Sequence, residues 1–232
     1  MTFQQRAADI GNDPSLPDAT ALTEVGDAGS ANQRGRFSIR GPIARWMLRR
    51  FRRRWGYDVG YMEEMLATAP EAFFRFVRIG DAANHRRAAP LPTWGAIRLV
   101  ATRACDCGPC LQLGVDQLLA AGLDETSIVA VLEEDRQAMD TATRLGFELG
   151  VALVERARLD GASSSEAVTA ADRRVEVTRR AVEQAHGREA LIECALAFAV
   201  LQTYPTIKRA MGHAQSCSLV HVGQGRGQVA VA

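Results

Sequence analysis

A chain of 232 residues that is 47% apolar and 24% charged carries enough apolar material for one packed domain, or two small ones at most. Its formal net charge of +1 excludes the global field that a nucleic-acid or acidic-membrane binder uses and leaves only local patches. Five cysteines, clustered and odd in number, argue against a secreted disulfide framework.

Residues 1–41 are polar and lack the apolar segment of a secretory signal, and no window reads as long and apolar enough to span a bilayer. The cytoplasm is the expected compartment. Lys208 is the only lysine among 28 basic residues, a bias that reads as genome composition beside the abundant Ala, Gly and Arg. Residues 1–40 read as a disordered arm, because their apolar side chains are too scattered to form a stripe.

The spacing then predicts a basic helix over 41–56. Pro42 suits its first turn and Gly56 its stop, with Trp46, Met47, Leu48, Phe51 and Trp55 mostly on one face and six arginines around them. Such a helix suits a membrane surface or nucleic acid. The plainer expectation is that it docks its aromatic face on its own domain or a sister subunit, with Glu63 and Glu64 as acidic partners.

Tyr61 to Leu66 and Pro70 to Arg86 continue in helical period, the second with Phe73, Phe74, Phe76 and Val77 as its stripe. After Pro90 and Pro92, Thr93 suits the cap of a helix over 94–104. Pro109 to Ala120 and a helix capped by Asp124 follow, with Gly122 as the intervening stop. A long helix over 138–159 and a charged one from Ser163 to Gly187 come next. A very apolar helix over 189–213 closes the series, expected to kink near Leu201 because Pro205 removes a donor. Residues 214–232 read as a flexible tail. With no sustained period-two alternation, the fold class is all-α, about eight helices, in one domain over 41–213.

The chemistry-bearing stretch is Cys105-Asp106-Cys107-Gly108-Pro109-Cys110. A thiol is a nucleophile as its thiolate, and a helix N-terminus favours that anion. Cys107 and Cys110 lie three apart on one helical turn, so they share a face and sit in the positive first turn. Cys-Gly-Pro-Cys is also a thioredoxin-type sequence, but that fold needs a strand before it, and 94–103 has helical spacing. Asp106 neighbours both thiols and would raise their pKa, Arg103 would offset it if turned inward, and Cys105 adds a third thiol. A zinc-thiolate site of Cys105, Cys107 and Cys110 with His213 or Cys217 is a rival reading. Inert buried cysteines are another.

The residues Ala96 to Arg103, Cys107 to Cys110, Ala120-Ala121-Gly122-Leu123-Asp124-Glu125, and Arg188 through Gly212 together resemble the carboxymuconolactone decarboxylase and alkyl hydroperoxidase D-like superfamily. The resemblance implies a helical bundle with the Cys-x-x-Cys at a helix N-terminus, assembled as a homo-oligomer. It implies a thiol peroxidase or disulfide oxidoreductase in which Cys110 attacks a peroxide and Cys107 resolves the sulfenic acid as a disulfide. A dithiol reductant then reopens it, with no cofactor, metal or nucleic acid. This chain has Gly95 and Gly114 where that redox branch carries a proton-relaying glutamate and histidine. A catalytically inactive helical oligomer or small-molecule binder is therefore the alternative.

Overall fold

A computed structural model of the chain describes residues 40–160, 163–213, 219–223 and 227–230. Eight helices run through them: α1 (Arg40–Trp55), α2 (Gly60–Thr68), α3 (Pro70–Asn84), α4 (Leu91–Arg103), α5 (Gly108–Ala120), α6 (Glu125–Leu132), α7 (Thr141–Arg158) and α8 (Ser165–Ala210). A short antiparallel hairpin follows, β1 (Leu219–Val222) and β2 (Gly227–Ala230). The fold is an all-α helical bundle. The expected arm over 1–40 lies outside the described residues, apart from Arg40, which opens α1.

The bundle is built around α4. Every residue from Thr93 to Thr102 is buried, including Arg98, which donates to the Ala83 carbonyl at 2.6 Å, and α5, α6, α7 and α8 pack around the helix. Gly146 and Gly150, one turn apart on α7, make the tightest crossing possible. A Cβ on Gly146 would overlap the Thr93 carbonyl group, and one on Gly150 would stand 3.0 Å from Val100 Cβ.

Thr93 is not the cap expected of it. Pro90 holds the N-cap position of α4, and the Thr93 hydroxyl instead donates to the Ala142 carbonyl at 2.8 Å. A buried hydroxyl gains more from an acceptor on a packed neighbour than from a helix end already started by two prolines. The cap expected at Asp124 does form, accepting from Ser127 N, and Ser164 caps α8 by accepting from Ala167 N.

α8 breaks at Gly187 (φ 86°) and nowhere else. Around Leu201, the place of the expected kink, the backbone keeps helical dihedrals through Pro205. Part of α8 has a mean hydropathy of 1.4 over 18 residues, so one described helix is long and apolar enough to cross a membrane. That corrects the expectation that no window is. A third of this window is buried, and it holds Glu193, which is 1% exposed. The Glu193 carboxylate accepts from the backbone N–H groups of Arg87, Ala88 and Ala89 at 2.6–3.2 Å.

The flexible tail expected over 214–232 is corrected where it is described. Val220 and Val222 are buried in the main core, and His221 exchanges two backbone bonds with the Gln112 side chain of α5. Two inward valines are too short a run for period-two patterning to register in sequence.

The basic helix α1 docks one face only. Ala44 and Leu48 are buried, with Phe51 and Trp55 packed beside them in a second cluster that also holds Tyr57, Tyr61, Cys107 and Cys110. Ile43, Trp46 and Met47 remain about half exposed, which corrects the expectation of a single docked aromatic face.

Candidate functional site around Cys107 and Cys110

The chain leaves α4 through a tight loop in which Asp106 takes a left-handed conformation (φ 47°). Cys107 is extended at the N-cap position of α5, Pro109 stands in the first turn, and Cys110 follows at the third helical position. Proline there costs no hydrogen bond and presets the helical φ. Both cysteines are buried, at 2% and 9% exposure, and unpaired.

The floor of the site comes from distant parts of the chain. The Tyr57 hydroxyl lies 3.5 Å from Cys110 Sγ. Tyr61 packs edge-on to Phe76, and Phe76 to Tyr204. From the last turn of α8, Lys208 is 1% exposed, with its Nζ 4.9 Å from the Tyr57 ring centroid and 5.6 Å from that of Tyr61. Arg209 clamps the loop from outside, donating to the carbonyls of Cys105 at 2.8 Å and Asp106 at 3.4 Å.

This setting separates the two thiols. The Cys110 thiol beside it holds Cys107 down to about 6, against the burial that raises it; the Cys110 backbone N–H, Lys208 and Arg209 act in the same direction. The Cys107 side chain closes no N-cap hydrogen bond, so that N–H acts as a nearby dipole at the positive helix end. The Cys110 thiol is pushed well above its ordinary range by Cys107 and by burial. Tyr57 and Tyr61 are both raised, chiefly by burial, and remain phenols. Among the described residues no carboxylate pairs with Lys208, whose charge is one of the influences that favour an anion at Cys107.

The remaining expected site residues do not converge here. Arg103 turns away and binds the Leu132 carbonyl at 2.9 Å and Glu134 at 3.0 Å. Asp106 is exposed to solvent. Cys105 points its sulfur back at the Ala101 carbonyl, 3.5 Å away, and burial raises its pKa while Arg209 opposes. His213 is engaged by Glu64 at 2.7 Å, and Cys217 lies outside the described residues. Among the described residues no three metal-type ligands gather, so the zinc arrangement finds no ligand set there.

Gly95 and Gly114 differ physically. A Cβ at Gly95 would stand 2.8 Å from Leu123 Cδ2 and 3.2 Å from Leu118 Cδ2, whereas one at Gly114 would make an ordinary contact. The space that a side chain at position 95 would need is thus filled by leucine. Sequence reasoning missed Tyr57, Tyr61 and Lys208. Two signals were available: the chain has one lysine, and all three of its tyrosines belong to this half of the molecule. No family model, no curated protein and no solved structure matches this chain.

Proposed function

We propose that the protein is a thiol-dependent oxidoreductase of the peroxidase type, working through Cys107 and Cys110, and a divergent member of the superfamily it resembles. The observation that carries this reading is two buried, unpaired cysteines three residues apart at the N-terminus of α5, with the Tyr57 hydroxyl on one sulfur and the buried Lys208 over the Tyr57 ring. The helix–Cys-x-x-Cys–helix order of α4, α5 and α6 supports the family reading.

The roles run opposite to those the resemblance implies. Cys107 is the thiolate and attacks the terminal oxygen of a hydroperoxide; the O–O bond breaks, Cys107 becomes a sulfenic acid, and the alkoxide leaves as the alcohol after taking a proton from solvent. Cys110 then attacks the Cys107 sulfur and loses its proton to the departing hydroxide, giving a disulfide and water. A dithiol reductant restores both thiols and becomes a disulfide itself. Four unpaired cysteines suit a reducing cytoplasm. The exposed Ile192 and Leu196 on α8 offer a face for a second copy.

The test is peroxide consumption with peptide mapping. Wild type should form a Cys107–Cys110 disulfide, Cys107→Ser should abolish turnover, and Cys110→Ser should leave a sulfenic acid on Cys107 that dimedone traps. Dimedone capture on Cys110 in Cys107→Ser would restore the opposite order of roles. Burial of both sulfurs supports a second reading, a non-catalytic helical protein, and thiols that stay reduced through excess peroxide would establish it.

A further inference from the structure

The outward face of α1 has no occupant within the chain's described residues. Ile43, Trp46 and Met47 are 53%, 54% and 59% exposed, and at 100° per residue they fall on the same side as Arg50, Arg53 and Arg54. The helix begins without an acidic residue and ends on three arginines. Of Arg45, Arg49, Arg50, Arg52, Arg53 and Arg54 only Arg52 has a carboxylate partner among the described residues, Glu63 at 2.5 Å. Arg50 stands 5.7 Å from the Trp46 ring centroid, so cation and indole form one patch rather than separate stripes. The opposite face is spoken for, with Leu48 and Ala44 buried in the thiol cluster.

We infer that α1 seats this protein on an anionic phospholipid surface. The chemistry fits that partner on both counts. Arginines at the rim meet lipid phosphates, each contributing about 1 kcal/mol near such a surface. An exposed tryptophan between an isoleucine and a methionine suits the headgroup boundary, where an amphipathic ring finds apolar and wet surroundings together. A nucleic-acid groove would satisfy the arginines and leave the three apolar side chains against phosphate and sugar. A second copy would need an acidic face to meet five unpaired arginines.

The test is co-sedimentation of the full chain with vesicles of phosphatidylcholine and phosphatidylserine at roughly 7:3 and with phosphatidylcholine alone. Binding should appear with the mixed vesicles only and weaken as salt rises. The triple variant Arg50→Gln, Arg53→Gln, Arg54→Gln should lower partitioning roughly a hundredfold. Trp46→Phe should remove most of the tryptophan quenching produced by brominated lipid, with helicity by circular dichroism unchanged in both variants. Equal binding to both vesicle types, quenching that survives Trp46→Phe, or no binding at all would overturn the inference. So would tighter binding to duplex DNA than to vesicles at the same salt, a solution mass that falls to half in the triple variant, or vesicle binding that appears only after residues 1–39 are removed.

Discussion

Cys107 and Lys208 are coupled by charge more than by contact. A buried ammonium over two tyrosine faces gains from the rings, but rings do not replace a counter-ion. Alkylation of Cys107 followed by mass spectrometry should therefore rise with pH around a midpoint near 6, while Cys110 stays unmodified through neutral pH. Replacing Lys208 with methionine keeps the apolar bulk of the side chain and removes the cation. The Cys107 midpoint should then move up by about one pH unit or more, with a corresponding loss of peroxide reactivity at neutral pH. An unchanged midpoint would mean that the Cys110 thiol, the helix end and Arg209 hold Cys107 down without Lys208. Lys208 was visible as a singular residue in the sequence, but singularity of type says nothing of place. The end of α8 meets the start of α5 in the cluster where Ile207 and Met211 pack against Cys107 and Cys110, a hundred residues away in the chain.

The crossing of α4 and α7 depends on two missing side chains. Gly146→Ala must push the Thr93 carbonyl aside, and since that carbonyl belongs to a helix buried on every face, the strain cannot relax outward. A loss of about 3 kcal/mol in urea denaturation is expected; a neutral result would show that α7 can slide. Asp124 matters by a different route. As the cap of α6 it accepts from Ser127 N at 2.7 Å and from the Thr126 hydroxyl, and these bonds hold its carboxyl down to about 2. Because its folded pKa lies below the ordinary value, its share of stability is present above about pH 4 and is lost as pH falls towards 2. That share is small for a group standing in water. Asp124→Ala should cost about 1 kcal/mol in thermal unfolding at neutral pH. This cap was legible from Asp124 and the apolar run behind it. The one assigned to Thr93 was not, because capping is a local option that a tertiary acceptor can outbid.

Glu193 ties α8 to the turn between α3 and α4. It leaves the apolar face of α8 to collect the N–H groups of residues 87–89, the turn between α3 and α4. Burial pushes its carboxyl up, but those three donors, with His85 3.8 Å away, outweigh burial and hold it below the ordinary range. Its contribution is thus present above the ordinary carboxylate pKa and disappears on acidification. Glu193→Gln should cost on the order of 2 kcal/mol and flatten the acid limb of the stability curve, read by denaturant melts across pH. An acid limb unaltered by the substitution would show that other carboxylates govern it.

Taken by itself, the sequence determined the all-α class, the order of its helices, the break at Gly187 and the place of the Cys-x-x-Cys at a helix start. Each of these is set by a few neighbouring residues: apolar period, a cap, a glycine or a proline. Tertiary structure alone decided that Cys107 and Cys110 are both buried, that Arg103 faces away, that Gly95 is closed by leucines and that Tyr57, Tyr61 and Lys208 complete the site. Those outcomes depend on which surfaces are brought together from separate elements of the chain, and on how much water is excluded when they meet. A pattern of residue types carries no record of that.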